Sequence, residues 1–317
     1  VPYTRAHDTR TNITMHSYGK GCPHLICGFW FNRVKNQTEF AIKQDLTKCE
    51  KVTGNITIRI HETDEIDEQQ VPLEDEVHEV DFICHSKSRR NKRPVPRRAT
   101  APNTGSVSTP GPESQSVPAP EESTLMDIEP APNSSNMAKN AWKHDIPISW
   151  IRIDPELHWI RQLNFKQPEF MWINQLENDR DVVAQHEAIQ GLSAHPSQTA
   201  IQALNDVLVN KEMFYRIRME AAHCMAALTS KETNWLGLDL LIKYFKATYY
   251  YDNLNQLRPN DFSNFSAYFL QRAIAEAVSQ VKDESGRTPS DVIEFLLDLL
   301  RNNDNSRNSV RTTPAEI

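Results

Sequence analysis

The sequence predicts a multidomain chain, β then α: an antiparallel β-sandwich with a long disordered insertion, followed by a HEAT/ARM-like α-solenoid. Three observations predict it. Early in the chain, "NITIRIHE" sets Ile56, Ile58 and Ile60 against polar neighbours, the alternation of a half-buried strand. Residues 99–138 then hold no Lys or Arg and seven prolines, a composition that buries too little apolar surface to offset the entropy of ordering. From Pro168 onward the apolar period lengthens to that of a helix.

Taken in order, residues 1–85 form the first part of the sandwich. "GFWFNRVKNQTEFAIKQDL" reads as two strands joined near residues 35–37, with Phe40 and Ile42 on one face. "ETDEIDEQQVPLEDEVHEVD", residues 62–81, holds ten acids and no Lys or Arg, which reads as a solvated hairpin. "VHEVDFIC" alternates His78, Val80, Phe82 and Cys84, and several short strands between turns suggest the sandwich. Residues 86–141 are the insertion, first basic and then rich in Pro and Ser. Its apolar-acidic patch "TLMDIEP" reads as a chance cluster rather than a docking motif. Residues 142–166 close the sandwich, with a strand carrying Ile148 and Trp150. Residues 167–304 are the helical repeats, and 305–317 a disordered tail.

Two of the helices align. Arg180, Ala188, Ile189, Gly191 and Leu192 match Arg216, Cys224, Met225, Ala227 and Leu228 at an offset of 216 − 180 = 36 residues, one helix–turn–helix unit. "LIKYFKATYYY" interleaves Lys243 and Lys246 with Tyr249, Tyr250 and Tyr251. Such interleaving can stack single-stranded nucleic acid, but aromatics at helical spacing are read here as core.

Composition narrows the function classes. The 317 residues are 38% hydrophobic and 24% charged, with a formal charge of −7. No apolar run is long enough to span a membrane, so no membrane partner is expected. The opening "VPYTRAHDTR" has no signal-peptide core and reads as a fragment of a longer chain. Five cysteines without framework spacing suggest reduced thiols inside a cell. Sequons at Asn12, Asn36, Asn55, Asn133 and Asn264 are read as silent, although glycans on them would make the chain extracellular.

No catalytic residue, cofactor or metal is expected. "HEAIQ" starts at His186 like H-E-x-x-H but ends on Gln190, so His186 and Glu187 read as exposed helix residues. "HETDE" at His61 fails in the same way. Cys22, His24 and Cys27 in "CPHLIC" lack the spacing of a zinc knuckle, and Cys49, Cys84 and His85 could complete a site only by folding together with them, so the cysteines read as small buried hydrophobes. Nine glycines in the whole chain leave little for phosphate cradles.

The charge distribution supplies the candidate site. "HSKSRRNKRPVPRR", residues 85–98, gathers Lys87, Arg89, Arg90, Lys92, Arg93, Arg97 and Arg98 in an acidic chain. Such a run serves as a nuclear-import signal or a phosphate-binding arm, against the plainer reading of a charge run that offsets the acids.

"FNRVKNQTEFAIKQD", "CHSKSRRNK", "WIRIDPELHWIRQLNFKQPEFMW", "RDVVAQHEAI" and "FYRIRMEAAHCMAAL" together resemble one family, the aminopeptidase-like TBP-associated subunits of the general transcription factor TFIID, its second subunit. The likeness extends through "FSAYFLQRAI" and "FLLDLLRNNDN" and leaves out residues 94–145 and the ends. It implies a nuclear, non-catalytic scaffold. Its implied partners are other TFIID subunits, histone-fold ones among them, and core promoter DNA around the initiator. The alternative is the C-terminal half of an active zinc aminopeptidase, whose catalytic motif would lie before Val1.

Overall fold

The structure is a computed structural model and describes residues 22–32, 34–47, 50–86, 146–252 and 254–302. The insertion, the terminal tail and Cys49 lie outside these residues. Among the described residues seven strands form two sheets. They are β1 (His24–Asn32), β2 (Gln37–Gln44), β3 (Gly54–Glu62), β4 (Ile66–Leu73), β5 (Val77–Ile83), β6 (Ile148–Ile153) and β7 (Gln162–Phe165). One sheet runs β5-β2-β1-β7, the other β4-β3-β6.

Alternation decides which side of each strand is buried. In the first sheet Leu25, Phe40, Ile42 and Phe82 point inward and are at most 1% exposed. In the second, Ile56, Ile58 and Ile60 of β3 do the same beside Ile151 and Ile153 of β6. The two inward rows make the sandwich core. The β1–β2 turn is set by Asn36, which takes a left-handed φ of 53° that Asn tolerates better than most side chains.

Three expectations change. The sandwich is mixed rather than purely antiparallel, because β7 runs parallel to β1, with Leu25 opposite Leu163. A short strand after a long connection can enter on either hand, and nothing local signals which. The acidic stretch is not one hairpin: β4 pairs with β3, while β5 crosses to the other sheet and pairs with β2. Nor is it wholly solvated, since Glu62 is 7% exposed.

After Pro168 the chain is helical. The helices are α1 (Glu169–Asn178), α2 (Val182–Leu192), α3 (Gln198–Val209), α4 (Tyr215–Leu228), α5 (Leu236–Tyr249), α6 (Phe265–Gln280) and α7 (Ser290–Asn302). Asp181, Ser197 and Asn264 cap the starts of α2, α3 and α6 by accepting from main-chain N–H groups. Helix α2 packs on α4 and α4 on α6, while α3 packs on α5. Of the residues matched at 36, Ile189 and Leu192 of α2 and Met225 and Leu228 of α4 lie in the shared core, all at most 3% exposed, whereas Arg216 and Ala227 are exposed. The next step is longer, 265 − 215 = 50 residues between helix starts. The extra length holds a small hairpin, β8 (Tyr250–Tyr251) and β9 (Leu254–Leu257), and the loop after it.

Candidate functional site

None of the seven cations of the basic run lies within the described residues, but the strand that leads to them does. Beyond β5, Cys84 is buried with its Sγ 3.2 Å from Thr38 Oγ1. Asn36 Nδ2 donates to the carbonyls of Cys84 (2.6 Å) and Ser86 (3.3 Å). The Glu62 carboxylate accepts from the main-chain N–H of His85 (3.0 Å) and of Ser86 (2.6 Å). Glu62 reaches them because a bulge between His61 and Glu62 re-aims the end of β3. The chain therefore leaves the sandwich from a point fixed by four hydrogen bonds, immediately before Lys87.

A second constellation joins the sandwich to the helices. Arg152 on β6, 3% exposed, points away from the sandwich core. Its Nε donates to Glu187 Oε2 of α2 at 3.3 Å. Its Nη2 lies 2.9 Å from Asp181 Oδ2 and its Nη1 3.8 Å from Asp179 Oδ2, ion pairs rather than aligned hydrogen bonds. Burial pushes the Glu187 carboxyl above the ordinary glutamate range, and the Arg152 charge pulls it back. Beside this group His61 stacks on Trp150 at 4.2 Å between ring centres, and burial lowers the His61 pKa to about 4.

A buried amide chain completes the joint. The Ile151 N–H donates to Gln167 Oε1 at 2.9 Å, Gln167 Nε2 to Gln175 Oε1 at 3.4 Å, and Gln175 Nε2 to the Ala184 carbonyl at 3.0 Å. The outer edge of β6 is thus tied through α1 to α2. A buried cation among carboxylates, with a closed amide relay, holds two parts in one relation.

Burial pushes the Cys27 thiol up to about 12, and Cys22 Sγ donates to the Ile160 carbonyl at 3.2 Å. Among the described residues no three His, Cys, Asp or Glu side chains cluster to hold a metal. Glu187 is not the exposed residue expected, because Arg152 draws it half-buried against the strand. In "LIKYFKATYYY" Phe245 and Tyr250 are buried, and the Tyr250 hydroxyl donates to Asp298 at 2.6 Å. Of the sequons, Asn12 and Asn133 lie outside the described residues. The Asn36 amide nitrogen is engaged in the strand exit, and Asn264 caps α6. Sequence reading missed the Arg152 joint, although a lone Arg in the apolar strand "ISWIRI" was a visible signal that a buried charge needed partners.

Two family models cover most of the chain. One, described as a TAF2 Ig-like domain, matches residues 20–168; the other, described as TAF2-like, TPR repeats, matches residues 169–312. Their boundary falls where α1 begins. The chain is 34% identical to transcription initiation factor TFIID subunit 2 of Danio rerio, over 91% of this chain and 22% of that protein. It is 34% identical to the Gallus gallus protein of the same name, over 88% and 22%, and 32% identical to the Drosophila melanogaster one, over 88% and 21%. The chain therefore spans about a fifth of the length of these relatives. Among solved structures, Legionella pneumophila aminopeptidase A aligns at a TM-score of 0.47 with 11% identity, over 89% of this chain and 29% of that one.

Proposed function

The chain belongs to the TAF2-like family of TFIID subunits, and from that membership we propose that it is a non-catalytic scaffold segment in the nucleus. It holds other TFIID subunits, histone-fold subunits among them, and contributes to core promoter recognition around the initiator. The helices act as HEAT-like hairpins whose exposed sides receive partners. The observation that carries this reading is the Arg152 joint, which couples the sandwich to the first helices through buried charge and amide contacts. A scaffold needs its surfaces at a fixed spacing, and this joint supplies it.

The basic run is the DNA-facing part of the proposal. Glu62 and Asn36 hold Cys84, His85 and Ser86, which come immediately before the seven cations in sequence. On duplex DNA such an arm releases counterions at roughly 0.9 per phosphate contact, which bounds the log–log salt slope at about −6. The test is to replace Arg89, Arg90, Lys92 and Arg93 with Ala and to measure binding to initiator and random duplexes at several salt concentrations. Both duplexes should be bound less tightly and with a shallower slope. Unchanged binding to random duplex at low salt would remove the arm from the DNA interface. Reconstitution of TFIID subunits with the Arg152→Met chain tests the scaffold role: loss of subunits from the assembly supports it, and full incorporation at parental affinity refutes it.

A further inference from the structure

The outer face of the β5-β2-β1-β7 sheet is a surface of a different kind. Its outward positions alternate with the buried ones: Gly28 and Trp30 on β1, Glu39 and Ala41 on β2, Glu79, Asp81 and Ile83 on β5. The register sets Trp30 beside Glu39 and Glu39 beside Asp81, and the next row sets Gly28, Ala41 and Glu79 together. Trp30 is 58% exposed and Ile83 61%. A side chain added at Gly28 would meet nothing within 4 Å, so Gly28 and Ala41 floor an open shallow beside the indole.

Like charges meet across the strands of this face, where Glu39 accepts a hydrogen bond from Asn32 Nδ2 at 3.1 Å. Glu39 and Asp81 are direct cross-strand neighbours, an arrangement that destabilises a sheet, and Glu79 stands two residues from Asp81 on the same side. Among the described outward strand positions the single cation is Lys43, which lies 3.6 Å from Glu76. Three carboxylates around an exposed indole match a cation twice over, by ion pairing and by contact with the ring face. Strand β5 is also the edge of its sheet among the described residues, open to main-chain pairing with an added strand. In such a strand every second side chain would fall beside Glu79 and Asp81.

We propose that this face docks an extended segment of another protein carrying Lys or Arg at alternate positions, which adds to β5 and lays its cations over Glu79, Asp81, Glu39 and Trp30. The charge disfavours a nucleic acid, which would bring its phosphates, and the same face of a second copy, which would bring the same carboxylates; the cations of residues 87–98 leave a second copy as an outcome of the test. The proposal rests on the scaffold reading only for where such a segment comes from, a neighbouring subunit.

A fluorescein-labelled octapeptide of alternating Lys and Thr, titrated onto the full chain by anisotropy, tests it. Glu79→Gln with Asp81→Asn, and separately Trp30→Ala, should weaken binding roughly five- to tenfold, the size of exposed ion-pair and ring contacts. Asp64→Asn with Glu65→Gln makes the same charge change on exposed residues of the β3–β4 turn and should leave binding unchanged. Far-ultraviolet circular dichroism confirms that each variant is folded. Equal loss in the control pair would mean general attraction to an acidic chain and would overturn the proposal, as would equal binding of an alternating Glu-Thr peptide. Self-association of the parent relieved by Trp30→Ala would replace it with a second copy. Peptide binding that persists while the Arg152→Met chain is incorporated at parental affinity would refute the scaffold reading and leave this one standing.

Discussion

The Nε of Arg152 donates to the carboxylate of Glu187 across a separation of 35 residues, a strand gripping a helix through a buried charge. Such a pair is not in itself a gain in stability, because both ions lose water. Its effect lies in what happens when one partner is removed. Arg152→Met would leave Glu187, Asp181 and Asp179 gathered without a cation. The expected loss is about 3–5 kcal/mol in urea unfolding, the range for breaking a buried pair. Glu187→Gln should cost less, since Asp181 still faces the guanidinium at 2.9 Å. A change under ~0.5 kcal/mol for Arg152→Met, typical of exposed positions, would show that the joint is solvated.

His61 gives the fold an acid sensitivity with a defined window. In the unfolded chain its imidazole takes a proton below about 6.5, whereas burial in the fold delays this to about 4. Between those values the unfolded state holds more protons, so stability falls as pH drops from about 6.5 to about 4 and is fully present above it. The loss by pH 4 is on the order of 3 kcal/mol. His61→Phe keeps a ring stacked on Trp150 and removes the titration. Urea midpoints measured between pH 7 and 4 should slope for the parent and flatten for the variant; parallel curves would assign the acid loss to other groups.

What was legible in the sequence was what repeats locally. Ile56, Ile58 and Ile60 announced a strand, and Ile189, Leu192, Met225 and Leu228 announced equivalent helices, because burial writes a period into neighbouring residues. Pairing across distance writes none. The parallel entry of β7 beside β1, and the departure of β5 from β4 to the other sheet, depend on contacts between segments tens of residues apart. Glu62 looked like one acid among ten, yet it is the acceptor that fixes the exit of β5. The joint residues Arg152, Asp179, Asp181 and Glu187 lie on three elements and share no spacing that a motif could describe.

Gly191 is held by packing rather than by backbone conformation. A Cβ built there would sit 2.3 Å from the ring of Trp172, which is 7% exposed and has little room to yield. Gly191→Ala would gain about 1 kcal/mol of helix propensity. Overpacking of a buried ring costs about 1–3 kcal/mol, so the net effect should be destabilising. Pairing the change with Trp172→Leu should recover part of the loss relative to Trp172→Leu alone. Stabilisation by Gly191→Ala in the parent background would mean that the ring moves freely.

The last expectation concerns the connection between β5 and β6. Strand β6 pairs with β3, so the sheet that ends before the connection is completed after it. Between Ile83 and Ile148 there are 148 − 83 − 1 = 64 residues. The composition of residues 99–138 predicts no core of their own, and deleting those 40 leaves 64 − 40 = 24. Loop-closure entropy grows as 1.5RT ln n, so the shorter connection should stabilise the sandwich by about 1 kcal/mol. Twenty-four residues can reach about 80 Å when extended, far more than the ~10 Å between packed sheets, so strain does not intervene. The deletion spares the seven cations and the contacts of Glu62 and Asn36 that hold the strand exit. The urea midpoint should therefore rise at unchanged slope. A lowered midpoint would mean that the removed residues contribute contacts to the fold. An unchanged midpoint would mean that they carry compensating order, and either result would overturn the reading of residues 99–138 as a coreless insertion.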